Sequence, residues 1–351
     1  MRLWFFGLIW LFLLSACSEQ QKLTPIENKD NICRYSKWLR IAEFSGYTQI
    51  DILSPSTNEL LQTIKIGDGG INPGASLATF SSTHIGMLAE LNSLDRVVAV
   101  QDIQYVYNEI LRNAYDAGRI TSFGNEGSPD AERIVKSGAK VIIHSAYAGP
   151  FPNEKKLNEI GITCISNFDW SETHPLGKAE WLLLFGYLTG KKDLAKEKFK
   201  AIETAYLATR KKSTKVDGRV ISGNVYGDFW DTPAGESYHA QLIADAGGSY
   251  VYAQTKGIGS LSLALEKVVK DAENATIWLN PGFSTKESLI RANPKAKFIK
   301  AFTAGKIYCY THEANKFWEM NAVQPHLILE DYRRIFTQQD LENLYFYKEV
   351  L

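Results

Sequence analysis

The stretch SPDAERIVKSGAKVIIH, residues 128–144, decides the fold class. Pro129 opens a helix that continues through Val135, and Lys140 to His144 is an apolar run of strand length. The same grammar extends outward on both sides. Upstream, Leu77 to Phe80 is a short apolar run, Thr83 caps a helix reaching about Leu91, and Arg96 to Val100 is a strand. Downstream, Asn153 starts a helix and Thr163 to Ser166 is a strand. Strands alternating with helices of this length argue for a mainly parallel sheet with crossover helices.

Two helices then follow with no strand between them. Pro175 to Leu188 is the first, Thr189-Gly190 breaks it, and Asp193 to about Ser213 is the second. At 1.5 Å per residue the second spans roughly 30 Å, enough to run past one lobe and reach another. The alternation restarts beyond it: strands at Arg219–Val225, Thr276–Leu279 and Lys306–Tyr310, and helices at Ser237–Ala246, Leu263–Ala272, Thr285–Ala292 and Asn321–Phe336. Ahead of the first lobe, Arg40–Phe44, Tyr47–Leu53 and Leu61–Ile66 read as strands, with Ser45-Gly46 as a hairpin turn. The expected architecture is α/β: two Rossmann-like lobes with mainly parallel sheets joined by a long rigid helix. Its bounds are 37–190, 191–215 for the joining helix, and 216–351.

The N-terminus points to export. Met1-Arg2 precedes an apolar run from Leu3 to Leu14 that is too short to span a bilayer comfortably and ends in small residues, as signal peptides do. Leu14-Ser15-Ala16-Cys17 matches the bacterial lipobox, which implies cleavage after residue 16 and lipidation of Cys17. Several acyl chains on one residue give stable anchoring. The polar residues that follow, 17–36, read as a tether. With 39 basic and 39 acidic residues and no basic cluster interleaved with aromatics, nucleic acid is not an expected partner. Cys33, Cys164 and Cys309 are odd in number and widely spaced, which favours buried thiols over a disulfide.

Taken together, these residues resemble the helical-backbone periplasmic binding proteins (class III, TroA-like), in the branch that carries ferric siderophores, haem and cobalamin. Ala78-Thr79-Phe80-Ser81-Ser82-Thr83 resembles that family's opening strand and turn, and Asp95 to Val100 its second strand. Ser128 to Val135 with Gly138 to Ile143 resembles its helix-then-strand signature. Gly235-Glu236-Ser237 leading to Ala246-Gly247-Gly248, and Leu265-Glu266-Lys267-Val268, repeat the pattern in the second lobe. The N-terminal strands and Gln101 to Tyr105 are similar to a Bacteroidetes-type subgroup. The resemblance implies a lipid-anchored monomer on the periplasmic side, serving an ABC permease and ATPase and taking its ligand in a cleft between the lobes. It also implies that Glu132 and Glu266, one per lobe, dock onto the permease.

Aromatics cover the flat, partly apolar surfaces of chelates and corrinoids at low side-chain entropy cost. After strand ends the chain supplies Tyr105, Tyr107, Tyr147, Trp170, Trp230 and Trp318. Tyr105, Tyr107, Tyr147, Trp230 and Trp318, with His84, are the candidate ligand contacts. His84, His144 and His312 all lie beside strand ends, where they could gather round zinc, manganese or haem iron. With no His-rich loop, each reads first as a hydrogen-bonded structural group, and neither a metal site nor a resident cofactor is expected. No GxSxG elbow, HExxH, Walker A loop or GxGxxG after a strand is present, so no enzyme is expected. Ferric siderophore is the first ligand expectation, followed by cobalamin and haem. The competing class is a lipid-anchored enzyme or an interaction lipoprotein.

Overall fold

The computed structural model describes residues 24–124, 129–147, 149–216, 218–311 and 316–351. Cys17 and the signal segment therefore lie outside the described residues, as does His312.

The first three strands, β1 (Leu39–Glu43), β2 (Tyr47–Leu53) and β3 (Leu60–Gly67), form an antiparallel meander. Gln62 of β3 ties it to the edge strand, Thr163–Asn167, of the first lobe's sheet. Gln62 of β3 donates to the Cys164 carbonyl at 2.9 Å and accepts from the Ser166 N–H at 2.9 Å.

The first lobe holds β4 (Leu77–Phe80), β5 (Val97–Val100), β6 (Thr121–Ser122), β7 (Val141–Ser145) and β8 (Thr163–Asn167) in the order β6-β5-β4-β7-β8, all parallel. Such strands are buried on both faces, which is why Val141-Ile142-Ile143 and Leu77-Ala78 are continuous apolar runs. The chain grows to one side of β4 and then jumps to the other, so a switch point opens between β4 and β7.

The second lobe repeats this plan. Its strands are β9 (Arg219–Ser222), β10 (Asn224–Tyr226), β11 (Phe229–Pro233), β12 (Ser249–Tyr250), β13 (Ser260–Ala264), β14 (Ala275–Leu279), β15 (Ile307–Tyr310) and β16 (Tyr347–Glu349). The main sheet runs β12-β9-β14-β15-β16, parallel except for the antiparallel edge strand β16. Its switch point lies between β9 and β14. A separate antiparallel sheet, β10-β11-β13, stands over it.

Between the lobes run Pro175–Glu180, Leu182–Leu188 and the helix Lys192–Lys212. The long helix buries Ala195, Phe199, Ile202 and Tyr206, and the Tyr206 hydroxyl donates to Asp245 of the second lobe at 2.7 Å. It packs against Leu182–Leu188 and against the C-terminal helix Pro325–Thr337. That last helix begins at Pro325, four residues later than the sequence pattern suggests, because proline is suited to a first helical turn.

The tether is shorter than expected. Ile26 and Cys33 are buried, and the Ile26 N–H donates to Asp51 at 2.7 Å. The N–H groups of Arg34, Tyr35 and Ser36 all donate to the buried Glu180 carboxylate at 2.7–2.8 Å. Lys37 N–H and the Trp181 indole donate to Glu172, each at 3.0 Å. Polar composition concealed this because the docking uses backbone donors, which every residue but proline carries. Cys33, Cys164 and Cys309 are free and buried, in keeping with the expectation of buried thiols.

Candidate ligand-binding cleft

Each lobe presents a concavity at the carboxyl ends of its parallel strands, after β4 and β5 in the first lobe and at the β9/β14 switch point in the second, the end of an open α/β sheet where ligands bind. In the first lobe it measures about 200 Å³ and is walled by the turn after β4 (Phe80 to Ser82) and the turn after β5 (Gln101, Asp102, Tyr105). In the second it measures about 460 Å³ and is walled by Gly223, Asn224, Asp231, His239, Asn280 and Thr311, among others. Gly223 is obligatory there: its φ is +114°, and a Cβ would stand 2.1 Å from the Asp231 carbonyl oxygen.

The lobes touch through the short helix Phe317–Met320, which lies on the helix Ser82–Glu90. The buried Glu319 carboxylate accepts the N–H of Tyr107 at 2.6 Å and of Asn108 at 2.9 Å, stapling a first-lobe loop to the second lobe. Burial raises the Glu319 pKa, although these two donors oppose the shift.

A buried polar layer from both lobes adjoins the joining helices. Lys178 lies 3.4 Å from Asp169, with side chains only 5% and 1% exposed, and its ammonium sits 4.9 Å from the centre of the Tyr238 ring. Desolvation works against the Lys178 ammonium, but Asp169, Tyr238 and Tyr147 outweigh it and hold the pKa above the ordinary lysine value. Burial pushes His84, His144 and His239 down to about 4, so all three imidazoles are neutral at neutral pH. Among the described residues no group of three or more His, Cys, Asp or Glu side chains is placed to hold a metal ion.

The candidate contacts separate into two groups. Tyr105 is 55% exposed in the first-lobe wall. Tyr147 is 67% exposed and lies on Trp170, ring centres 4.4 Å apart. Trp318 is 39% exposed, edge-on to Tyr310 of the second-lobe wall. Tyr107 is half-buried beside the Glu319 staple.

Trp230 and His84 depart from expectation. Trp230 is fully buried, with its indole N–H on the Ser222 carbonyl at 3.0 Å and its ring 5.0 Å from Trp278. It belongs to β11, whose alternation turns Phe229 outward and Trp230 inward, so it is core rather than a ligand contact. His84 is likewise fully buried, because its helix packs on Leu182–Leu188 and aims the ring at Phe185, 5.5 Å away. It touches no cleft surface.

The sequence reading passed over Asp102, Asn280 and Thr311. Asn280-Pro281-Gly282 ends β14 with a turn signal, and residues directly after parallel strands are the ones that face such crevices. Glu132 and Glu266 are both exposed, each in the first turn of a short helix, Ala131–Ser137 and Leu265–Asp271.

The buried imidazoles set a pH dependence. An unfolded histidine titrates near 6.5. With folded pKa values of about 4, the unfolded chain takes up protons first, and stability from these groups is lost as pH falls from 6.5 towards 4. Glu172 and Asp331, raised by burial to about 7 and about 6, act in the opposite sense over an overlapping window. The clean observable is therefore a difference. His84→Gln should gain stability relative to the parent by on the order of 2 kcal/mol between pH 7.5 and pH 4.5. Urea unfolding at the two values checks this, and a pH-independent difference would contradict the neutral, buried state of His84.

A family model described as periplasmic binding protein matches residues 77–314. The chain is similar to the uncharacterized lipoprotein MJ0878 of Methanocaldococcus jannaschii, 26% identical over 76% of this chain and 67% of that one. It is also similar to the uncharacterized lipoprotein MJ0872 of the same archaeon, 24% identical over 60% of this chain and 56% of that one. The chain thus spans about two thirds and just over half of these relatives. Among solved structures it resembles the periplasmic haem-binding protein HutB of Vibrio cholerae, with a TM-score of 0.59 and 14% identity over 73% of this chain and 98% of that one. It resembles equally the triscatecholate siderophore-binding protein FeuA of Bacillus subtilis, with a TM-score of 0.59 and 15% identity over 81% and 98%. At such identities the likeness establishes the two-lobed fold.

Proposed function

The chain belongs to the periplasmic binding protein family, and from that membership we propose that it is the lipid-anchored solute-binding component of an ABC importer. It captures an iron-siderophore-type metal chelate between its lobes and delivers it to the permease, with cobalamin and haem as the other ligands of the same reading. The family is one of substrate-binding proteins, not enzymes. The observation that carries the proposal is the pair of concavities at the strand carboxyl ends of the two lobes, with the exposed ring of Tyr105 in the first wall and that of Trp318 edge-on to Tyr310 of the second. Wide apolar rings with polar edges suit a large, rounded chelate.

No helix among the described residues is long and apolar enough to cross a membrane. Attachment to the envelope is assigned to the lipid on Cys17, which agrees with the lipoprotein names of the archaeal relatives. Glu132 and Glu266 are assigned to permease docking, where two exposed carboxylates on separate lobes fix orientation and speed encounter. The protein works as a monomer, and ATP hydrolysis belongs to the partner subunits.

Titration of the full-length protein in detergent, followed by tryptophan fluorescence, tests capture. Ferric siderophores, cobalamin, haemin and zinc form the panel. Saturable one-to-one quenching by a chelate is the expected result. A folded protein that answers none of them would end the transport reading.

A further inference from the structure

We propose that the cleft selects an uncharged chelate that offers hydrogen-bond donors to the second lobe, and that it excludes polyanionic chelates. This rests on the capture role above and specifies the ligand of that site.

The charges on the walls point this way. Asp102 lines the first-lobe concavity and Asp231 the second. Neither concavity is lined by a lysine or arginine among the described residues. The one buried ammonium in the polar layer, Lys178, is committed to Asp169. His239, the imidazole on the second-lobe wall, is held neutral by burial.

An anion entering such a site sheds water and meets carboxylates without a compensating cation, which is unfavourable on both counts. Three catecholate dianions around one ferric ion leave a net negative complex, and haem carries two propionates. Three hydroxamates, each a monoanion, cancel the ferric charge. A corrinoid carries its periphery as amides.

The second-lobe wall also supplies hydrogen-bond capacity. Asn280 Oδ1, Thr311 Oγ1 and His239 Nδ1 are shielded from solvent and have no protein partner. The amide nitrogen of Asn280 faces Ser222 Oγ at 3.5 Å, which leaves the carbonyl oxygen as an acceptor. Buried polar atoms are nearly always satisfied, so three together at one strand-end concavity await partners. Of the three, Asn280 Oδ1 is the one that can only accept: an amide N–H or hydroxyl on an uncharged chelate meets it, whereas an anionic oxygen, itself an acceptor only, repels it.

The test compares affinities of the full-length protein in detergent for a neutral ferric trihydroxamate, cyanocobalamin, a ferric tris-catecholate and haemin. At least one neutral ligand should bind at least about 100-fold more tightly than either anion. Neutral-ligand affinity should be flat between ~0.05 and ~0.5 M salt, while residual anion binding strengthens as the wall charges are screened. Asp231→Lys should raise affinity for the tris-catecholate at least about tenfold by giving it a partner charge. An anion that binds as tightly as the neutral ligands overturns the charge selection but leaves capture intact. If none of the four binds, the capture reading falls and this proposal falls with it.

Discussion

Gly86→Leu is expected to destabilise the protein by about 3 kcal/mol or more, because it forces apart two helices that meet backbone to backbone. A Cβ at position 86 would stand 1.7 Å from the Glu319 carbonyl oxygen. That oxygen belongs to a helix, so it cannot swing aside as the tip of a side chain would. Separation of Ser82–Glu90 from Phe317–Met320 would also withdraw the Glu319 carboxylate from the Tyr107 and Asn108 N–H groups. The loss therefore combines overpacking with the breaking of two part-buried hydrogen bonds to a charged acceptor. Thermal unfolding measures the first part, and amide exchange at Tyr107 and Asn108 reads the second. Gly259→Ala is the control: nothing lies within 4 Å of a Cβ there, so its effect should stay within about 0.5 kcal/mol. A Gly86→Leu protein as stable as that control would rule out the close helix contact as a structural requirement.

The largest functional effect is expected from Glu132→Lys combined with Glu266→Lys. Uptake in cells should fall at least about tenfold, since reversal would turn the two proposed docking contacts from attractive to repulsive. Ligand affinity of the isolated protein should not change, because neither residue lines either concavity. Both side chains are exposed, so neither substitution disturbs packing. Each single variant should fall between the parent and the double variant. Undiminished uptake in the double variant would remove the docking assignment. A fall in ligand affinity would instead place these carboxylates within reach of the cleft.

The elements legible in advance share a physical property: they announce themselves locally. Strands such as β4, β7 and β14 are apolar runs bounded by turn residues because both their faces are covered. The long helix was legible from Asp193 to Ser213 because one helical face is apolar. The β10–β11 hairpin was not. Its turn is Gly227-Asp228, and its second strand, Phe-Trp-Asp-Thr-Pro, mixes aromatics with residues that strands disfavour. Placing Trp230 in a loop followed from that. Strand pairing with β13 overrides the local signal, and once the strand exists its alternation carries Trp230 into the core.

Lobe count and sheet type were determined by the sequence alone, because each depends on patterning within a few residues. The fate of His84, the inward turn of Trp230, the docking of residues 24–36 and the gathering of Asn280, Thr311 and His239 were decided only by tertiary structure. The reason is common to them. Each depends on a partner far away in the chain: Phe185 for His84, Trp278 for Trp230, and Glu172 with Glu180 for the N-terminal segment. A helical residue, a strand residue and a backbone N–H carry no local mark of what will cover them. The direction in which each faces is set when distant elements close over it.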